Sequence, residues 1–179
     1  MSYFKRFPLM IYDMKNDGNY KLLPDILKRV KQRNAIKDGQ FIFDTYDVVN
    51  GESPETVAYK WFGDAQLHWV ILMTNNVLDR YYDWPMNSVQ LQEFLEDKYD
   101  NPDGIHHYEV SQDSGRTTGQ GPADYSHKVE VTSDTFNASS ISNREYEERE
   151  QDKKRSIRLL NQKFLPAFIE EFDNLIREQ

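Results

Sequence analysis

The 179-residue sequence predicts an α+β fold: a small strand–helix–helix core with an additional β-hairpin, an extended N-terminal arm and C-terminal helices. Three observations lead to this prediction. β-Branched and aromatic residues mark short strands, and apolar residues at helical spacing follow helix-start signals. A charged stretch also precedes an apolar stripe near the C-terminus. We expect four segments, at 1–40, 41–100, 101–136 and 137–179.

The first segment is predicted to be an extended arm followed by a basic helix. Pro8 holds Phe7 in extended geometry and has no N–H to donate, so the arm suits an edge strand or a tether to another chain. Pro24 is a favourable first helical residue. A basic helix is therefore expected from there to about Lys37, before the Asp-Gly turn at 38–39.

The second segment holds the core. Residues 41–49 predict a strand because they are β-branched and aromatic. The Ser-Pro pair at 53–54 starts a helix that Gly63 ends. Asp64 then caps a second helix, which runs to about Asn75. We expect the two tryptophans of these helices, at 61 and 69, to lie between them in the core.

The rest of the chain is predicted as a helix, a hairpin and a C-terminal helical region. The third helix is capped by Asn87 or Ser88 and runs to about Tyr99. Its inward-facing residues are expected to be Val89, Phe94, Leu95 and Tyr99. The hairpin has a long Gly-, Ser- and Thr-rich loop at 111–123, and a polar linker follows at 137–142.

The C-terminal region begins with Ser142 to Glu145, a capping-box pattern, and continues as an almost entirely charged helix. From Ile157 an apolar stripe begins, and Pro166 starts a new helical segment. The stripe docks either on the domain or on a partner, and the solvated first half indicates projection toward another subunit. Removal of 157–179 is therefore expected to leave a folded core.

Composition and charge exclude several classes of protein. The chain has no cysteine, which excludes a disulfide scaffold and a thiol nucleophile. Neither a signal-peptide core nor a run of about 18 apolar residues is present, so we expect a chain made in the cytosol that spans no membrane. The net charge of −8 divides into +5 for 1–40, −10 for 41–110 and −3 for 111–179. This division argues against a nucleic-acid binder and suits a basic head that packs on the acidic middle or on an acidic neighbour.

Acidic and histidine side chains cluster at 52–68, but their spacing favours structural roles. Glu55 and Asp64 lie at helix starts, where carboxylates suit the dipole or cap the helix. His68 lacks a second ligand one turn away. We therefore predict no enzyme, and no catalytic, cofactor-binding or metal-binding residues.

Three histidines lie in or beside the predicted hairpin. His106 and His107 are neighbours in a strand, so their side chains are expected on opposite faces, where they cannot readily share a metal ion. His127 could oppose one of them across the hairpin, which keeps a metal site open as an alternative.

Residues 51–76, GESPETVAYKWFGDAQLHWVILMTNN, resemble a LysM module, in which a strand and a Gly-containing turn precede two short helices. The matching residues are Gly51, Glu52, Ser53, Val57, Ala58, Phe62, Gly63, Trp69, Ile71 and Asn75. The closing strand of such a module is not found after Asn75, where helix is predicted instead. The resemblance implies an alternative function, binding of peptidoglycan or another glycan through the loops after the first strand and the second helix.

Four segments in order resemble baseplate wedge subunit 53 of T4-like contractile-tailed phages. They are FPLMIYD, the GESPETVAYKWFGDAQLHWVILMTNN stretch, YYDWP and KKRSIRLLNQKFLPAFIEEF. The predicted basic helix, which lies between the first two, belongs to the same resemblance. The resemblance implies a structural protein of the virion tail baseplate, assembled in the host cytoplasm and without a cofactor. It also implies contacts with proteins resembling wedge subunits 6, 7 and 25 and with neighbouring copies of the wedge. In this role the chain clamps inner wedge subunits and joins adjacent wedges into the six-fold baseplate, without nucleic acid, membrane or small-molecule substrate.

Candidate contact residues come from the arm, the aromatic turn and the C-terminal region. They are Phe7, Pro8, Tyr12, Trp84, Pro85, Lys154, Arg155, Phe164, Phe168 and Phe172. For Trp84, a place in the core and a place at an interface are both open.

Overall fold

The computed structural model describes residues 3–30, 42–111 and 128–178, and it confirms the α+β fold. The strands are β1 (Leu9–Tyr12), β2 (Lys21–Pro24), β3 (Phe43–Asp47), β4 (Ile105–Ser111), β5 (Lys128–Val131), β6 (Ser139–Ser142) and β7 (Ser156–Leu160). The helices are α1 (Pro54–Phe62), α2 (His68–Thr74), α3 (Ser88–Lys98), α4 (Asn143–Arg155) and α5 (Leu165–Glu178). Each helix within these ranges is too short or too polar to cross a membrane.

The chain divides into two compact units. The first contains Met1–Pro85 and Arg155–Gln179, and the second contains Met86–Lys154. In sequence, the second unit is therefore an insertion into the first. The predicted division into four segments stays a prediction, because these units group residues by packing and not by independent folding.

Near the N-terminus, β1 and β2 pair antiparallel, with Leu9 opposite Pro24 and Ile11 opposite Leu22. The prediction of a helix starting at Pro24 is therefore wrong, and residues 31–37 of that predicted helix lie outside the described ranges. The physical reason is the Asp-Gly turn at 17–18. Such a turn between apolar runs is a hairpin signal, and it outweighs the preference of proline for a helix start.

The core of the first unit is built from β3, α1, α2 and β7. β7 pairs antiparallel with β3, with Thr45 opposite Arg158. A strand thus closes the strand–helix–helix core, but it comes from the far side of the insertion, where a helical stripe was predicted. Ile157 and Leu159 are buried while Arg158 between them is exposed, which is the two-residue period of a strand. The apolar cluster contains Val48, Val57, Ala58, Ile71, Trp84, Ile157 and Leu159.

The predicted boundaries of α1 are confirmed by its caps. The Ser53 hydroxyl accepts a hydrogen bond from the Thr56 N–H at 3.3 Å. Gly63 ends the helix with φ 76°, a left-handed conformation that glycine adopts without strain, and its N–H donates to the Tyr59 carbonyl at 2.9 Å. Local chemistry thus explains both ends of this helix.

Helix α5 packs on its own chain and does not project from it. Phe172 and Ile176 are buried, and the Phe172 ring centroid lies 4.7 Å from that of Trp69. The Arg6 guanidinium donates to the Asp173 carboxylate at 2.7 Å, which ties the N-terminal segment to the same helix. Because residues 157–179 contain most of β7 and all of α5, we now expect their removal to unfold the first unit.

The second unit contains α3, a sheet of order β5-β4-β6 and most of α4. Its α3 is capped by Asn87, one of the two predicted caps, and Gln90 completes a capping box. Val89 is exposed, and only Leu95 of the expected inward residues is fully buried. Residues 139–142, which the sequence predicts as part of a linker, form β6 and pair with β4. In this strand Ile141 is buried. The unit thus has a small apolar core.

Ion pairs supplement that core. Arg149 donates to the buried Glu109 carboxylate at 2.8 and 3.1 Å. Glu147, also buried, accepts hydrogen bonds from the Lys98 ammonium at 2.6 Å and the Tyr99 hydroxyl at 2.8 Å. Buried carboxylates need such partners, because an unpaired buried charge is strongly destabilising.

The two neighbouring histidines of β4 lie close together, so the prediction that they face opposite ways is wrong. The Nδ1 atoms of His106 and His107 are 2.8 Å apart, and the His106 ring stacks on Tyr146 with centroids 4.0 Å apart. The register of β4 shifts between Ile105 and His107, and such an irregularity breaks the alternation of side chains. His127 lies outside the described residues, among which no group of three metal-ligating side chains is found.

Candidate functional site

The hairpin of β1 and β2 exposes apolar side chains on both of its faces. Residues opposite each other in an antiparallel pair share a face. One face therefore carries Leu9, Ile11, Leu22 and Pro24, of which Ile11 is 68% exposed and Leu22 66%. We call these four residues the hairpin face.

The opposite side of the hairpin is also largely uncovered. It carries Met10 opposite Leu23 and Tyr12 opposite Lys21, and of these only Met10 is half-buried. Beyond β2, Leu27 is 83% exposed. A two-stranded ribbon is marginally stable alone in water, and burial of one exposed Ile or Leu side chain contributes about 1.5–3 kcal/mol. The hairpin therefore has the surface of a segment that becomes covered by another molecule.

The turn of this hairpin is well ordered by side-chain hydrogen bonds. The Asp13 carboxylate accepts from the backbone N–H groups of Lys15, Asp17 and Gly18, the last at 2.8 Å. Asn16 and Gly18 adopt left-handed conformations, which Asn and Gly tolerate best. Order of this kind lowers the entropy that the hairpin would lose when it docks.

The positive charge near the N-terminus lies in the flanks of the hairpin. Residues 3–30 contain six Lys or Arg and three Asp, a net charge of +3. Residues 9–24, which form the hairpin itself, carry Lys15 and Lys21 against Asp13 and Asp17 and are neutral. Arg6 of the flank is paired with Asp173.

The structure separates the ten predicted contact residues by exposure. Tyr12 and Phe164 are exposed. The half-buried residues are Pro8, Pro85, Lys154, Arg155 and Phe168. Phe7, Trp84 and Phe172 are buried in the first unit. The prediction that these ten residues bind partners stays a prediction. The structure gives the three buried aromatics packing contacts within the chain.

The sequence analysis did not identify the hairpin face, because it placed a helix start at Pro24 and left Leu22 in the segment before that helix. Four apolar residues at 9–12, an Asn-Asp-Gly-Asn turn and a second apolar run at 22–23 form a recognisable hairpin pattern. That pattern was the signal that could have identified the site.

The loops before α1 and after α2, where the LysM resemblance places a glycan, are tied together. The Trp84 indole N–H donates to the Glu52 carbonyl at 2.8 Å, and the indole is only 5% exposed. A buried indole offers no ring face on which a sugar could stack. Trp84 thus has a core position here, while glycan binding itself stays a prediction.

The Glu52 side chain belongs to the acidic cluster at 52–68, and its carboxylate is held by hydrogen bonds within the turn before α1. Its carboxylate accepts from the Tyr46 hydroxyl and the Val49 N–H, both at 2.9 Å, and from the Lys60 ammonium. Burial raises the pKa of Glu52, but these hydrogen bonds outweigh it and hold the pKa below its usual value. Such a carboxylate stays ionised and stabilises the turn.

A second group of exposed apolar side chains lies on the same unit. It consists of Tyr59 on α1 and Leu78, Tyr81 and Tyr82 in the turn after α2, each at least 60% exposed. We call these four residues the tyrosine surface. Tyrosine is enriched at protein interfaces, because it combines a large apolar ring with a polar end.

Comparison with known proteins identifies relatives of the chain. A family model described as base plate wedge protein 53 matches residues 14–120, more than half of the sequence. Baseplate wedge protein gp53 of Enterobacteria phage T4 is 35% identical over 60 residues. That match covers 34% of this chain and 31% of the T4 protein, so it spans about a third of each.

Proposed function

This chain belongs to the base plate wedge protein 53 family, and we propose that it is a structural subunit of a phage tail baseplate wedge that docks through its N-terminal hairpin. The exposed hairpin face is the observation that carries this role. In the finer form of the proposal, the chain clamps inner wedge subunits and joins adjacent wedges into the six-fold baseplate. Its partners are then proteins resembling wedge subunits 6, 7 and 25, and its location is the virion tail, after assembly in the host cytoplasm.

The architecture of the first unit supports a docking role for the hairpin. The hairpin is anchored at its base, where the Asp25 N–H donates to the Pro8 carbonyl at 2.8 Å. Directly before it, Phe7 is buried against the core cluster that contains Trp69 and Phe172. A fixed base with an uncovered apolar ribbon is suited to insertion between other proteins.

The size of the uncovered surface supports stable assembly. Ile11 and Leu22 are both about two-thirds exposed, so burial of their remaining surface would together contribute roughly 2–4 kcal/mol. This range corresponds to an affinity change of about 30- to 1000-fold before the entropic costs of binding are subtracted. Loss of these two side chains should therefore be decisive for a subunit that assembles through them.

A double substitution of the hairpin face tests the proposal. We expect Ile11→Thr with Leu22→Thr to keep the strands, because threonine favours β-structure, while it removes the apolar contact. Supplied to a phage that lacks the native gene, this variant should produce few complete baseplates in electron micrographs and a large drop in plaque titre. Val89→Thr is the matched control, since Val89 is 65% exposed and lies in the other unit. Normal baseplates with the double variant would refute the docking role.

A further inference from the structure

The sheet of β3 and β7 has two outer edges, and the chain fills one of them with its own side chains. On the outer edge of β7, the Asn75 side-chain amide bonds both the N–H and the carbonyl of Arg158, each at 2.8 Å. Two residues further along the same edge, the Leu160 carbonyl accepts from the Trp61 indole N–H at 2.9 Å. These side chains take the place of a further strand, so this edge of β7 is closed.

The outer edge of β3 has no such cover. In an antiparallel pair, the backbone groups of alternate residues point toward the partner strand and away from it. The Val48 N–H donates to the Arg155 carbonyl at 2.9 Å and the register is regular along β3, so its even-numbered residues face β7. The N–H and C=O groups of Phe43, Thr45 and Asp47 therefore point outward, and no hydrogen bond reaches them from the described parts of the chain. We call these groups the open edge.

The open edge is held in place by the core. Val48 is buried and Tyr46 is packed on the same apolar cluster, while Thr45 and Asp47 are exposed. A fixed row of unpaired backbone donors and acceptors is a template for another extended chain. A helix cannot fill such a row, because its backbone groups are already bonded to one another. The backbone geometry thus specifies an extended segment as the occupant.

The side chains of the open edge specify the chemistry of that segment. Phe43, Thr45 and Asp47 share one face of β3, because side chains alternate along a strand. Asp47 is exposed, and no described residue donates to its carboxylate or forms an ion pair with it. Directly opposite residues of paired strands have Cβ atoms about 4.5–5.5 Å apart, so a Lys or Arg opposite Asp47 would meet its carboxylate.

From this geometry we infer that β3 receives an extended segment of a neighbouring baseplate protein, which adds a third strand to the sheet and places a Lys or Arg opposite Asp47. Main-chain hydrogen bonds supply affinity in this mode of recognition, and the side chains supply specificity. The inference rests on the proposed function, because it takes the partner from the baseplate. It adds a second contact, since the open edge belongs to the core sheet and not to the hairpin.

Substitutions at two positions test the inference. Thr45→Pro removes an N–H that points away from β7, so the β3–β7 ladder keeps its hydrogen bonds. Thr45→Val is the matched control, since it keeps both the N–H and the preference for a strand. Asp47→Lys reverses the charge at the open edge. Supplied to a phage that lacks the native gene, Thr45→Pro and Asp47→Lys should each lower plaque titre at least about tenfold, and Thr45→Val should not.

Hydrogen exchange of the wild-type chain gives the decisive measurement. In the free chain, the Thr45 amide should exchange near its intrinsic rate, while the amides of Asp44 and Tyr46, which face β7, are protected and serve as the internal reference. In purified baseplates, the Thr45 amide should exchange at least about tenfold more slowly than in the free chain. Mass spectrometry with fragmentation to single residues separates the three amides.

Each outcome has a defined consequence. A Thr45 amide that exchanges equally fast in the free chain and in baseplates overturns the inference, and so does a Thr45→Pro chain that folds, by tryptophan fluorescence, and builds normal baseplates. If Thr45→Pro does not fold, the exchange comparison decides alone. Normal assembly with Asp47→Lys overturns the basic residue of the partner.

Failure of the inference is distinguishable from failure of the proposed function. If purified baseplates contain the chain but the Thr45 amide is not slowed, the proposed function stands and only the added strand is overturned. If purified baseplates lack the chain, the proposed function is refuted, and the inference with it.

Discussion

Asn75 connects the end of α2 to a strand that lies 83 residues further along the chain. Its side-chain amide donates to the Arg158 carbonyl at 2.8 Å, and its side-chain oxygen accepts from the Arg158 N–H at 2.8 Å. Arg158 lies in β7, opposite Thr45 of β3. The side-chain amide of Asn75 pairs with both the N–H and the carbonyl of Arg158, much as a neighbouring strand would. We predict that Asn75→Ala destabilises the first unit selectively.

The magnitude follows from these two hydrogen bonds and from a third, which the side-chain amide donates to the Ile71 carbonyl at 2.9 Å. A protein hydrogen bond contributes about 0.5–1.5 kcal/mol net, so loss of all three should cost about 1.5–4.5 kcal/mol. Water can reach the exposed Arg158 and replace part of the interaction, which favours the lower half of that range. In the lower half of that range, the ratio of folded to unfolded protein should fall roughly 10- to 150-fold.

The distribution of tryptophan provides a selective assay. The three tryptophans, Trp61, Trp69 and Trp84, all lie in the first unit, so their fluorescence during urea denaturation reports on that unit. The second unit can be followed by hydrogen exchange of the β4–β6 amides. Asn174→Ala, at an exposed position of α5, is the control and should change stability by less than about 0.5 kcal/mol.

Two results would refute this reasoning. One is a loss below about 0.5 kcal/mol for Asn75→Ala, which would mean that water replaces the amide fully. The other is an equal loss of stability in the first unit, measured by fluorescence, and in the second unit, measured by hydrogen exchange. That result would mean that Asn75 does not act on β7 alone.

Two further predictions concern packing and pH. Trp69 is 4% exposed, so Trp69→Ala should cost about 3–5 kcal/mol, measured by far-ultraviolet circular dichroism; a loss below about 1 kcal/mol would contradict its core position. Hydrogen bonds from Arg149 lower the pKa of Glu109 against the opposing effect of burial. The ion pair therefore contributes its full stability to the second unit above the unfolded-state pKa of about 4.3. That stability is lost as the pH falls through the lowered pKa of the folded state. The protection factors of the β4 amides, which are exchange rates corrected for the intrinsic rate at each pH, should therefore fall in acid for the wild type and much less for Glu109→Gln, and identical acid profiles would contradict this.

Elements defined by local chemistry could be read from the sequence. The Ser-Pro start and glycine stop of α1, the Asp64 cap and the Asn87 capping box are each satisfied within a few residues along the chain. Such signals carry their own hydrogen-bond partners, so they are independent of distant packing.

Elements that depend on distant partners were harder to predict. Ile157 and Leu159 fit a helical stripe or a strand, and only the pairing of β7 with β3 selects the strand. Likewise, the apolar stripe of α5 is compatible with docking on the chain itself or on a partner, and burial of Phe172 and Ile176 against the chain's own core selects the first. A short apolar run does not reveal which surface will cover it.

The sequence by itself determined the α+β class, the capped helices of the core, the charge asymmetry and the family resemblance, because each depends on residue identity and local spacing. Tertiary structure alone decided which strand closes the core, which aromatics are buried and which apolar residues stay uncovered. The physical reason is that burial depends on contacts between residues far apart in the chain. The exposed hairpin face, on which the proposed function rests, belongs to this second group.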